Sequence, residues 1–155
     1  MNKKNIRITI VVSVFVLLGS YFLMSASSTK SNSIKNYVEV FKSPSCGCCR
    51  GYIAALENDG FQVKSVDMID LNTVKNKYNI PTVMQSCHTT IIGRYFIEGH
   101  VPIEAVKKLL QEQPDIDGIA LPGMPVGTPG MPGPKEAPYV IYKIKGGQSS
   151  EFMKI

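Results

Sequence analysis

Three of the four cysteines in this chain fall within four residues, Cys46-Gly47-Cys48-Cys49, and the fourth, Cys87, is followed at once by His88. The triplet stands where a β-branched and aromatic run, Tyr37-Val38-Glu39-Val40-Phe41, gives way to a helical pattern. Adjacent Cys48 and Cys49 cannot pair with each other without strain, and such crowding serves loop stapling poorly. It serves thiolate chemistry well. A helix N-terminus presents unpaired N–H groups and partial positive charge, which lowers the pKa of a thiol placed there. The deprotonated cysteine is what both disulfide exchange, through the C-x-x-C pair Cys46 and Cys49, and capture of a soft metal ion require. Two ordinary disulfides are the plainer alternative.

The surrounding pattern predicts an α/β domain. Ser43-Pro44-Ser45 breaks the first strand, with Ser45 as the expected N-cap of a helix whose apolar face is Tyr52, Ile53 and Leu56 and whose end is Gly60. Phe61 to Val66 reads as a second strand, so strand–helix–strand predicts a right-handed crossover between parallel strands. Asp70 is placed to cap a short helix carrying Leu71, Val74 and Tyr78. Ile80-Pro81-Thr82-Val83-Met84 reads as a strand entry. Ile91 to Ile97 reads as a hairpin, with Gly93 suited to the first central position of a type II′ turn. Pro102 opens a helix with an apolar stripe at Ile103, Val106, Leu109 and Leu110. The Gly/Pro/Met-rich segment from Leu121 to Pro138 excludes helix and central strand, because proline fixes φ and removes a donor. Residues 121–134 are expected to form an ordered loop packed near the cysteines. Tyr139 to Ile144 returns to strand character, and Gly146-Gly147 turns it into a C-terminal hairpin closed by Phe152-Met153.

Strand, C-x-x-C at a helix start, helix, strand, then Ile-Pro-Thr is the element order of a thioredoxin-like fold with a central mixed sheet. In that reading Pro81 is a cis-proline lying against the cysteine motif. A third thiol inside the C-x-x-C, and the absence of tryptophan from the chain, depart from a redox thioredoxin.

The first residues read as a targeting segment. Lys3, Lys4 and Arg7 precede an uncharged apolar run from Ile8 to Met24, and Ser25-Ala26-Ser27 supplies small residues. This is the layout of a secretory signal over residues 1–27, or of a membrane anchor if it is retained. A polar linker over 28–36 leads into a domain over 37–155. The protein is therefore expected to be exported and touched by a membrane only through that segment. The whole chain carries 17 Lys and Arg against 12 Asp and Glu. Without the three basic residues of the segment, 14 face 12, a net charge of +2. A domain so nearly balanced lacks the footprint of a nucleic-acid binder.

Both histidines lie at element ends. His88 follows Cys87 directly, so in a regular strand only one of the two faces inward, whereas a turn frees both. His100 stands in Glu98-Gly99-His100-Val101-Pro102, just before a helix. Thiolates and imidazoles with the thioether of Met124 or Met131 suit copper, Cu(I) before Cu(II), with zinc next. The candidate ligands are Cys46, Cys48, Cys49, Cys87, His88, His100 and Met124, with gap-filling the alternative role of the methionines.

Four segments together, Cys46-Gly47-Cys48-Cys49, Ser86-Cys87-His88-Thr89, Glu98-Gly99-His100-Val101-Pro102 and Leu121-Pro122-Gly123-Met124-Pro125, resemble the CopG-type periplasmic copper-resistance proteins over roughly residues 37–145. That family, long catalogued as a domain of unknown function, is unrelated to the ribbon–helix–helix repressor of the same name. The resemblance implies a thioredoxin-like fold and a cysteine-bridged multinuclear copper cluster. It carries to Cys46, Cys48, Cys49 and Cys87 first, then to His88 and His100, and least to the methionines. Copper resistance or homeostasis, with Cu(I)/Cu(II) interconversion and other copper-handling proteins as partners, is the function it implies. A thiol–disulfide oxidoreductase and a zinc-binding adaptor are the alternatives.

Overall fold

A computed structural model describes residues 36–155. The targeting segment expected over 1–27 and the linker up to residue 35 lie outside the described residues. Among the described residues no helix is long and apolar enough to cross a membrane.

Seven strands form one mixed sheet, β1 (Tyr37–Lys42), β2 (Gln62–Asp67), β3 (His88–Ile92), β4 (Tyr95–Glu98), β5 (Gly118–Ala120), β6 (Val140–Lys145) and β7 (Gln148–Lys154), in the order β2-β1-β3-β4-β5-β6-β7. Among the described residues three α-helices accompany it: α1 (Gly47–Asn58), α2 (Asn72–Lys77) and α3 (Ile103–Glu112). β1 and β2 are parallel, as a crossover through α1 requires. β3 lies antiparallel to β1 and to β4, β5 is parallel to β4, and the last two pairings are antiparallel.

The alternation of strand side chains divides the core in two. Tyr95 and Ile97 of β4 join Tyr52 and Leu56 of α1 and Val106 and Leu109 of α3 in the larger cluster. Phe96, between them in sequence, joins Ile80, Met84, Ala120 and Ile144 in the smaller one. The turns follow their chemistry. Gly93 alone takes positive φ (56°) in the β3–β4 turn, as a type II′ turn demands, and Gly146 and Gly147 both take it between β6 and β7.

Several expectations are corrected. The N-cap of α1 is Cys46, not Ser45: its Sγ accepts the Cys49 N–H at 3.3 Å. Asp70 does accept the Asn72 N–H at 2.9 Å, one residue ahead of the cap position at Leu71. Residues 82–84 form a 3₁₀ turn rather than a strand entry, closed by Met84 N–H to Pro81 O at 2.8 Å. Pro81 is trans, since no peptide bond among the described residues is cis. The chain turns on itself after Pro81, the strand starts only at His88, and Cys87 adjoins the cysteine motif, its carbonyl oxygen 3.7 Å from Cys49 Sγ. β5 has no counterpart in the sequence reading.

Candidate metal centre

The centre lies where β1 ends, α1 begins and β3 starts. The Sγ atoms of Cys46, Cys48, Cys49 and Cys87 all fall within 4.8 Å of one another. Individual contacts are 3.5 Å for Cys46–Cys48, 3.9 Å for Cys48–Cys87 and 3.6 Å for Cys49–Cys87. Cys46 and Cys49 are joined as a disulfide, and Cys48 and Cys87 are free. Cys49 is fully buried, and the other three are half-buried.

Cys87 also belongs to a second group with His88 and His100. Its Sγ lies 3.4 Å from His88 Nδ1 and 3.2 Å from His100 Nε2. The question of which residue of Cys87-His88 faces inward resolves itself at the strand boundary. Cys87 precedes β3 and His88 is its first residue, so both reach one place. For a tetrahedral ion with bonds to sulfur near 2.3 Å and to nitrogen near 2.0 Å, neighbouring ligand atoms stand about 3.5 Å apart. The spacings around Cys87 are close to that edge length.

The imidazoles are held in metal-competent form. His100 Nδ1 donates to Pro129 O at 2.7 Å, which leaves Nε2 as the bare acceptor facing Cys87. Burial lowers the pKa of His100. Burial, with His100 and Lys75 adding to it, lowers that of His88 to about 3. Both rings are therefore neutral at neutral pH. Burial, then the Cys48 thiol beside it, pushes Cys87 up to about 11. Without metal it is a thiol at neutral pH, and a metal bound there must displace its proton.

Tyr52 of α1 lines the same place, its ring centroid 4.6 Å from that of His88 and 5.7 Å from that of His100. Its hydroxyl, His88 Nε2 and Thr90 Oγ1 are buried without a hydrogen-bond partner among the described residues. Each such orphan costs about 1–3 kcal/mol, a pattern typical of sites kept for chemistry rather than stability.

Two further residues shape the centre and escaped the sequence reading. Glu98, fully buried on β4, receives Lys75 Nζ of α2, Thr89 Oγ1 at 2.6 Å and the Ser86 N–H at 2.6 Å. One carboxylate thus ties down both flanks of Cys87-His88. Burial raises Glu98 above the usual carboxylate range, against the pull of those donors. Glu98 belonged to a singled-out motif, but only its histidine was read as functional. Nothing in sequence pairs it with Lys75.

The proline-rich loop closes the other side. Gly51 of α1 lets the Gly130 backbone approach, and a Cβ at Gly51 would stand 2.8 Å from Gly130 Cα. Gly130 itself has φ 83° and leaves no room for a Cβ beside the Cys48 carbonyl. The loop braces itself through Gly127 N–H to Met131 O at 3.0 Å and Tyr139 Oη to Val126 O at 2.7 Å. Met124 is 42% exposed at φ 48°, unlike the six buried or half-buried Cys and His donors.

The family model described as "Protein of unknown function, DUF411" matches residues 84–131, which hold Cys87, His88 and His100. No curated protein matches the chain. Two solved structures, of copper resistance protein CopG in forms 1 and 2, are each 39% identical with a TM-score of 0.71. They cover 77% of this chain and 96% and 97% of their own. At that identity and coverage, the chain belongs to the CopG-type copper-resistance protein family.

Proposed function

We propose that the protein binds copper outside the cytoplasm and contributes to copper tolerance by holding several Cu(I) ions on bridging thiolates. The observation that carries this reading is the convergence of four sulfurs and two neutral imidazoles around Cys87. Soft thiolates favour Cu(I), and the imidazoles also accept Cu(II), so interconversion of the two is open to the same ligand set. Cys46, Cys48, Cys49, Cys87, His88 and His100 are the ligands of this proposal, and Met124 is its candidate thioether. The CopG likeness supports copper over zinc. The basic, apolar start of the chain supports export to the periplasm, as a signal or as a tether. The β2-β1-β3-β4 order, with one parallel and two antiparallel pairings and the cysteines at the start of α1, supports a thioredoxin-like core extended by β5, β6 and β7.

The disulfide between Cys46 and Cys49 at that helix start favours a second reading, a thiol–disulfide oxidoreductase. The two readings part at Cys87 and His100. If copper binding is the function, Cys87→Ser and His100→Gln each weaken Cu(I) binding by roughly tenfold or more, the scale seen when metal-site partners are lost. Rapid exchange that survives both substitutions, with unchanged copper binding, would favour the oxidoreductase.

A further inference from the structure

We infer that the centre has two parts with different redox behaviour: Cys87, His88 and His100 form a self-sufficient site for one soft, thiophilic metal ion, and Cys46 and Cys49 enlarge its capacity only when reduced. The inference rests on the copper reading above and concerns what regulates that site.

Cys46 and Cys49 are bonded to each other, while Cys48 and Cys87 are free thiols. A sulfur in a disulfide has no thiolate to offer a metal. The four-cysteine group and the Cys87-His88-His100 group share only Cys87. Pairing Cys46 with Cys49 therefore reduces the first group to Cys48 and Cys87 and leaves the second whole. The second group is also held by contacts independent of the disulfide. Pro129 O fixes the His100 tautomer at 2.7 Å, Tyr52 packs on both rings, and Glu98 anchors Ser86 and Thr89 on either side. Cys48 Sγ, 3.9 Å from Cys87 Sγ, is available as a fourth ligand.

Two thiolates on one tetrahedral ion stand about 3.8 Å apart for bonds of about 2.3 Å. The Cys46–Cys48, Cys49–Cys87 and Cys48–Cys87 spacings of 3.5, 3.6 and 3.9 Å bracket that value. Those three pairs already stand at bridging distance, and breaking the Cys46–Cys49 bond frees its two sulfurs to take further ions next to the first.

Opening the disulfide takes a dithiol donor, either a small molecule or a protein. Cys46 is half-buried and Cys49 fully buried, so the donor's first thiolate attacks Cys46 Sγ and Cys49 leaves as a thiolate. The donor's second thiolate then attacks its own sulfur in the mixed disulfide and expels Cys46. The Cys49 N–H at 3.3 Å and the start of α1 stabilise the departing Cys46 thiolate. Two electrons pass to the protein, one S–S bond breaks and another forms in the donor. The donor's two thiol protons go to Cys46 and Cys49, or to solvent where metal takes the thiolates.

The test uses the full chain under anoxia, in oxidised form (two free thiols by titration) and after reduction by a dithiol that is then removed (four free thiols). Cu(I) is delivered in competition with a chromophoric Cu(I) chelator, and thiols are counted again afterwards. The expected result is one tightly held Cu(I) per oxidised chain and two or more per reduced chain. His100→Gln and Cys87→Ser each weaken the oxidised-state ion by roughly tenfold or more. Cys46→Ser/Cys49→Ser holds the reduced chain at one ion, and circular dichroism checks each variant's fold. An oxidised chain that binds no Cu(I) while the reduced chain binds several would overturn the inference and leave copper binding standing. Equal capacity in the two states would also overturn it. No Cu(I) on either form would remove the copper reading and the inference together.

Discussion

Glu98 holds Cys87 and His88 in place through Ser86 N–H and Thr89 Oγ1, and it does so as the buried partner of Lys75. Breaking a buried pair by removing one charge typically costs about 3–5 kcal/mol, because the other charge is left uncompensated. Glu98→Gln is expected to lower stability on that scale, measured by urea unfolding, and to weaken Cu(I) binding because the chain on both sides of Cys87 loosens. Lys75→Met added to Glu98→Gln recovers much of the stability. A Glu98→Gln protein as stable and as tight-binding as the unaltered one would deny the carboxylate its positioning role.

His88 sets the acid behaviour of the metal-free protein. In the unfolded chain it takes a proton near its ordinary 6.5, and in the folded protein only near about 3. Between those values the unfolded state binds more protons, so stability rises with pH, and acidification from pH 6.5 towards 3 lowers it. His100 acts in the same sense. Glu98, whose carboxyl is raised, acts in the opposite sense. Thermal unfolding of the metal-free protein against His88→Gln therefore isolates the imidazole, and the substitution should flatten the acid limb. Parallel curves for the two proteins would contradict it. The cysteines and histidines were legible in the sequence because so few residue types bind soft metals. Glu98 and Lys75 were not, because a charge that will be buried looks in sequence like any solvated one.

At the scale of elements, α1 and the proline-rich loop meet through two glycines. Ala at Gly51 would gain up to about 1 kcal/mol of helix propensity. Its Cβ would also press on Gly130 Cα at 2.8 Å and push the loop that carries the His100 acceptor. We expect the displacement to win, with a lower melting temperature and weaker Cu(I) binding for Gly51→Ala. A higher melting temperature with unchanged binding would show that the loop is not a wall of the site. α1, α3 and the two hairpins were readable from apolar spacing and from glycines at turn positions. β5 was not, since three residues between Pro114 and Pro122 are too few to show alternation. The 3₁₀ turn at Thr82–Met84 was misread because Val83 and Met84 look like strand residues, yet Val83 is 78% exposed and the segment curls back on Pro81.

At the scale of the molecule, the parallel β1–β2 pair brings the start of α1 to one end of the sheet, and antiparallel β3 brings Cys87 back to the same end. That topology turns residues 39 apart into sulfur neighbours at 3.9 Å. Strand–helix–strand order made the first half of this arrangement legible. The return of Cys87 depended on a turn after Pro81 that local pattern does not encode. The central claim is that this convergence is built for several copper ions. Its most direct test is metal analysis of the reduced full chain after anaerobic exposure to equal Cu(I) and Zn(II) and removal of unbound metal. The account predicts more than one copper per chain and little zinc. One zinc per chain with copper excluded, or no more than a single copper on the fully reduced protein, would contradict it.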